Sequence, residues 1–345
     1  MKNIPNVSAM QPSTHVRTSL LCAVLVILLT IGIFTLLGGT GHPLTVKQLT
    51  SILFGSGSGS ENYLLLQLRL PRLLLAILVG SCLGMSGALF QGLTRNPLGS
   101  PDVIGINAGA ATGALLVILV LHAGETQTPT GALLGGLATG LIVFSIASKH
   151  RMNPTRLVLA GIAIGPLLTS VNSFLLLRAD VDNAENAARW LVGSLNGADW
   201  ERVSYLALTI LLVAPLAMLL TKPLVLMGMG DDLASALGVN VSRTRIGVTA
   251  VASILAALAT ATSGPIGFVA LAAPHLARWI APGNIHPIIS AVVGAVMLVS
   301  ADFLATYTTP SLSLPVGTVT GLLGGAYLAL YLGLQARRTK RGMSL

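Results

Sequence analysis

Runs of about twenty apolar residues recur along the chain, each closed by Gly, Pro or a small cluster of charges. At 1.5 Å per helical residue, such a run crosses a hydrocarbon layer of about 30 Å, so each predicts a transmembrane helix. Ten spans follow, near residues 19–37, 72–92, 104–121, 131–148, 156–177, 203–221, 244–263, 265–280, 287–308 and 315–334. The first run follows Lys2 and Arg17 but is long and lacks a following A-x-A pattern, so it reads as a retained span rather than a signal peptide. The spans flanking Ser263-Gly264-Pro265 have almost no loop between them; a single kinked helix there would overturn the topology.

An even count places both termini on one side, and the positive-inside rule identifies that side. With the N-terminus cytoplasmic, 14 of the 20 Lys and Arg residues fall there, while seven of the eleven acids fall opposite. Both termini are therefore expected in the cytoplasm. The expected layout is one transmembrane domain over 1–345, with a cytoplasmic segment over about 1–18, a long cytoplasmic loop at 222–245 and a cytoplasmic tail at 335–345. Ten spans divide into five plus five, and an odd number per half makes the second half an inverted copy of the first.

Composition agrees with this reading. Of 345 residues, 53% are hydrophobic and 9% charged, against roughly one quarter charged in a soluble domain. Aromatics are scarce at 4% while Gly reaches 38 residues, so the helices are expected to pack through small residues. The net charge of +9 is scattered through short loops instead of forming a basic stripe, which argues against a nucleic-acid partner. Cys22 and Cys82 fall inside apolar runs, leaving nothing on which to build a disulfide framework or a metal site.

Several segments carry candidate chemistry. Arg69-Leu70-Pro71-Arg72 lies at the outer end of the second span, where the guanidinium groups are expected to point outward. Spacing alone favours simple anchoring, the alternative being a docking point for acidic side chains of an outer partner. The turn containing Asn96, Pro97, Leu98, Gly99 and Pro101 is either a tight connection or a gate beside a pathway. In the long loop, Asp231 or Asp232 is placed to cap a short helix that Gly238 ends. That helix, with Leu233, Ala234 and Leu237, is either a plain surface helix or an apolar knob for a soluble protein. His275 and Arg278 share a helix face and suit either a proton relay or bonds that tie helix ends. Asp302 is the one acid assigned to a span, which makes it a suspect for substrate or proton handling as well as for a helix-to-helix bond.

In their order, R-L-P-R at 69–72, R-N-P-L-G-S-P at 95–101, G-D-D-L-A-S-A-L-G at 230–238, G-P-I-G-F-V-A-L-A-A-P-H-L-A-R at 264–278 and L-P-V-G-T-V-T-G at 314–321 resemble the membrane subunits of the iron-siderophore and vitamin B12 ABC importers. The likeness covers about 60–335 and within the family is nearest to ferric-enterobactin permease subunits, through G-S-L-N-G at 193–197 and M-G-D-D at 229–232. It implies an all-α type II importer permease of two inverted five-helix halves in the bacterial inner membrane. It also implies a second permease chain, identical or sister, two copies of a cytoplasmic ATPase, and a periplasmic or lipid-anchored binding protein that delivers a ferric siderophore. Arg69 and Arg72 match the family's docking arginines. Asn96 and Leu98, with Met152 and Asn153, match its cytoplasmic gate, and 230–239 its coupling helix. One departure is the outer loop before Leu314, which lacks the arginine that assists docking in some relatives.

The chain has no G-x-x-x-x-G-K-[ST] phosphate loop, so ATP is expected to be used by the partner subunit, and this chain carries no cofactor of its own. Haem or cobalamin is the alternative cargo. A proton-driven transporter using Asp302 and His275 is the rival from another class, and a membrane-embedded enzyme ranks last for want of a nucleophile-base constellation.

Overall fold

The computed structural model describes residues 14–38, 43–55, 57–123, 126–148, 154–283, 285–307 and 314–342. Met152 and Asn153, and the outer loop before Leu314, lie outside the described residues. Every regular element among the described residues is helical. In chain order they are α1 (Thr14–Leu37), α2 (Val46–Leu53), α3 (Gly59–Thr94), α4 (Ile106–Val120), α5 (Thr128–Ser148), α6 (Pro154–Arg178), α7 (Val181–Leu191), α8 (Trp200–Met227), α9 (Asp231–Ala236), α10 (Val241–Ser263), α11 (Val269–Ile280), α12 (Pro287–Tyr307) and α13 (Val316–Gly342).

Seven of these are long and apolar enough to cross a membrane, namely α1, α3, α5, α6, α8, α10 and α12. The shorter α4 and α13, apolar over Val316–Leu330, and then α11 complete the ten expected elements. The expected span at 265–280 is corrected. Residues 264–268 are not helical, and α11 has only 12 residues, about 18 Å of rise. Gly264 and Phe268 both hold positive φ (72° and 69°), which breaks the helix and turns the chain back instead of merely kinking it. Two separate helices, not one kinked helix, therefore flank this point.

The two halves share a signature. In each, a long second helix (α3, α10) is followed by an irregular glycine-containing segment and a short third helix (α4, α11). Irregular backbone at membrane depth survives only where protein or a lined cavity satisfies it. Gly161 lies about seven residues into α6, or about 10 Å from its start, and a Cβ there would collide with the backbone of Val103 and Ile104. The segment after α3 thus dips into the bundle.

α3 is the central mast. Leu75, Val79, Leu83 and Phe90 are buried, and the helix packs against α8, α10, α11 and α12. Glycines permit this contact. A Cβ on Gly80 would strike the carbonyl of Gly294, one on Gly84 that of Ser290, and one on Gly87 that of Ala270. A matching seam joins α4 to α5, where Gly113 meets Gly131 and Gly135 meets Gly109. Gly80 and Gly84 on α3, Gly109 and Gly113 on α4, and Gly131 and Gly135 on α5 are each spaced i, i+4, the pattern that lets membrane helices touch backbone to backbone.

Near the start of α3, residues Tyr63–Arg69 form a π-helix. That wider winding re-aims carbonyls, and the Leu66 carbonyl accepts the indole N–H of Trp200 from α8 at 2.9 Å.

Gly84→Val is expected to wedge α3 from α12 and destabilise the protein by about 3 kcal/mol. Gly325→Ala, where an added Cβ meets nothing, should be neutral. Thermal unfolding of the detergent-solubilised protein compares the two.

Candidate functional site

Functional side chains collect at the two ends of the bundle and at one level between them. At the first end, Arg72 on α3 donates from Nη2 to Asp302 Oδ1 at 2.8 Å and from Nε to Oδ2 at 3.0 Å. Its Nη1 reaches Asn196 Oδ1 at 3.0 Å and its Nη2 also reaches Thr306 Oγ1 at 3.2 Å. Asp302 on α12 is 8% exposed at its side chain, so its charge needs a partner in that low-dielectric setting. Arg69 Nη1 donates to the carbonyls of Leu36 and Leu37 at 2.8 and 3.2 Å, two of the orphan acceptors at the end of α1. Both guanidinium groups are held by protein acceptors. Asp302 is a helix-to-helix tie, the second of its two readings.

The loop over 192–199 is the keystone of this end; in the sequence its G-S-L-N-G at 193–197 carried only the family likeness, not this structural role. Ser194 N–H donates to the Ser263 carbonyl at 2.7 Å, and Gly317 N–H donates to the Gly193 carbonyl at 3.1 Å. Leu195 is buried while Asn196 holds Arg72. Gly193, at φ 74°, approaches the Pro265 carbonyl closely enough to exclude any side chain. One short loop thus joins the end of α10 and the start of α13 to α3 at Arg72. Beside it opens a cavity of about 680 Å³ lined by Trp190, Arg189, Arg202, Asn183, Asn186 and His122, among others. Arg189 is paired with Glu185 at 2.6 Å and Arg202 with Asp199 at 3.4 Å, which leaves the wall polar without a strong net charge.

Deep in the bundle, Asn107 Nδ2 donates to Asp102, and Asn107 Oδ1 accepts from the Thr260 hydroxyl at 2.7 Å. Thr112 donates to Asn172 Oδ1 at 2.7 Å, and Asn172 Nδ2 donates to the Ala108 carbonyl at 3.2 Å. These bonds hold α4 to α6 and α10. Asp102 sits on the dipping segment, so Asp302 is not the one acid at membrane depth. The i, i+5 spacing of Asp102 and Asn107 across a glycine turn was the available signal.

At the opposite end, Arg95 follows α3 at φ 50°. Asn96 Oδ1 accepts from Leu98 N–H at 2.9 Å and its carbonyl from Gly99 N–H at 3.0 Å, with Leu98 exposed. The turn is a tight connection that also presents an apolar side chain.

α9 begins at Asp231 and Asp232. The expected aspartate cap is corrected: the N-cap is Gly230, and no side chain caps the helix. Asp231 instead accepts from Arg95 at 2.7 Å and from Arg245 at 2.5 Å. Gly238 does end the helix, at φ 85°. Its N–H bonds the Ser235 carbonyl while Val239 N–H bonds that of Ala234, a Schellman closure. Leu233 and Leu237 are exposed and Ala234 is buried.

Arg278 donates to Gln91 Oε1 at 2.7 Å, and Gln91 Nε2 donates to the Leu271 carbonyl at 2.9 Å. That ties α11 to α3. His275 makes edge contacts with Trp279 and Tyr327, at centroid distances of 6.2 and 5.9 Å.

Comparison with known proteins adds the remaining findings. The model of the FecCD transport family matches residues 24–333. The chain is 40% identical over 296 residues to the ferric enterobactin transport system permease protein FepG of Escherichia coli (strain K12), covering 86% of this chain and 90% of that protein. It is 35% identical over 290 residues to the hemin transport system permease protein HmuU of Yersinia pestis, covering 80% and 85%. A solved structure assigned to a metal-chelate type ABC transporter, in an inward-facing conformation, superposes with a TM-score of 0.81 at 28% identity, covering 91% of this chain and 99% of that one.

Asp302→Asn strands the Arg72 guanidinium and is expected to cost about 2 kcal/mol, a discounted value because Arg72 is partly exposed. Arg72→Leu combined with Asp302→Leu removes both charges and should recover most of that loss. Thermal unfolding in detergent of the single and double variants checks the pairing.

Proposed function

Because this chain belongs to the FecCD transport family, whose members here are importer permeases, we propose that it moves a ferric siderophore of the enterobactin type inward across a bacterial inner membrane. The coarser statement stands without that proposal: the chain is the permease component of a type II ABC importer for iron-siderophore, haem or cobalamin. The observation that carries the finer reading is the 40% identity to the ferric enterobactin permease over 86% of the chain.

In this reading the Arg95 end faces the cytoplasm, together with both termini, and α9 sits against a separate ATPase subunit present in two copies. The Arg72 end faces the binding protein. A second permease, identical or sister, completes the path. Ferric siderophore is cargo, and ATP is consumed by the partner. Opening alternates between the two ends as nucleotide binding closes the ATPase pair.

The arrangement at Arg72 gives docking a physical form. A carboxylate of the binding protein that approaches Arg72 competes with Asp302 for one planar fork, and the fork accepts either partner with similar geometry. Arg69 lies one turn away, donating to the Leu36 and Leu37 carbonyls. The gate assignment rests on Leu98, exposed on a turn that follows the central mast. The proton-relay alternative gains no support, since Asp302 is neutralised by Arg72 and His275 sits among aromatic rings.

Deletion of the chain is expected to abolish uptake of radioiron-loaded enterobactin in cells with no redundant importer, and a wild-type copy to restore it. Vanadate should block that uptake. Unchanged iron uptake, with haem or cobalamin uptake lost instead, would reassign the cargo.

A further inference from the structure

The single carboxylate of Asp231 ties the ends of two membrane helices directly, and a third through Arg95, to one short surface helix. Its Oδ1 accepts from Arg95, the residue that ends α3, at 2.7 Å. Its Oδ2 accepts from Arg245, in the second turn of α10, at 2.5 Å. Arg95 also donates to the carbonyl of Met227, the last residue of α8. The ends of α3, α8 and α10 therefore meet at the first residue of α9.

The rest of α9 has little hold on the bundle. Ala234 packs inward, whereas Met229, Leu233 and Leu237 are exposed. Apart from its short chain connections to α8 and α10, α9 is held to the bundle by the packing of Ala234 and the ion pairs of Asp231. Isolated exposed ion pairs contribute little, but a carboxylate shared between two arginines, one of them only 12% exposed, is a network with fixed geometry. Arg95 holds a left-handed backbone conformation that disfavours side chains with a Cβ. Arg95 immediately precedes the Asn96–Gly99 turn, so movement of its guanidinium pulls on the backbone where that turn begins.

We propose that Asp231 is a positioning residue that transmits displacement of α9 to the turn after α3, so that nucleotide-driven movement of the ATPase opens or closes the Arg95 end of the path. This rests on the reading of α9 as the ATPase contact. Asp231 touches neither cargo nor nucleotide, and its action runs through Arg95.

The test uses the full chain assembled with its ATPase and second permease in lipid nanodiscs. Hydrogen-deuterium exchange is followed with and without ATP plus vanadate, in wild type, Asp231→Asn, Arg95→Gln and the double variant. In wild type, exchange should change over both 229–238 and 94–99. In each variant the ATPase subunit should still co-purify and 229–238 should still respond, while the response of 94–99 is lost. Uptake of ferric enterobactin per ATP hydrolysed, measured in proteoliposomes, should fall roughly fivefold or more, with the double variant no worse than either single one.

A normal response of 94–99 in Asp231→Asn overturns the proposal, as do additive losses in the double variant. Loss of ATPase co-purification in Asp231→Asn also overturns it, by making the residue a partner contact. The exchange measurement does not depend on cargo. Failure of wild type to carry ferric enterobactin with the exchange pattern intact therefore removes the cargo reading and leaves the link standing.

Discussion

Inside a hydrocarbon layer, a peptide N–H or C=O without a partner costs several kcal/mol, and no water is present to supply one. Among the described residues the chain departs from helix at depth after α3 and after α10, and both departures are enclosed by other backbone. The Ser263 carbonyl at the end of α10 is met by Ser194 N–H, and the Gly193 carbonyl by Gly317 N–H. Loop 192–199 thus completes the hydrogen bonding that the break in the second half leaves open. Glycine at 193 and 317 is required by contact distance, since any side chain there would occupy the space of a neighbouring carbonyl.

Charge follows the same logic. The ionised groups brought against the bundle are paired or bonded, Arg72 with Asp302 at one end and Asp231 with two arginines at the other. Arg189 and Arg202, each paired with an acid, line the cavity beside loop 192–199. Between the ends, the ties are neutral amides and hydroxyls, apart from Asp102. Neutral ties at depth avoid the desolvation that a charge would suffer there.

The long spans were legible because hydropathy reports length directly, and α1, α5, α6, α8, α10 and α12 lie where apolar runs place them. The length of α11 was not, because Val269–Ile280 and the preceding Pro265-Ile266-Gly267 are equally apolar and differ only in backbone angles. Gly238 as a helix terminator was readable from residue type alone. The partners of Arg72 and Asp231 were not, since each bond joins residues more than a dozen positions apart and hydropathy carries no record of which helices are neighbours. The likeness to a known family supplied roles for Arg69, Arg72 and α9 that local chemistry left open between two readings.

The glycine seams between α3 and α12, and between α4 and α5, have a mechanical corollary. Backbones in direct contact leave no compressible layer of long side chains between them, and packed interiors transmit strain instead of absorbing it. Each seam therefore behaves as a stiff plate. A passage bounded by such plates changes width by their separation, not by indentation of its wall. Movement of one helix of a seam then carries its partner with it, so α3 with α12 and α4 with α5 shift as pairs.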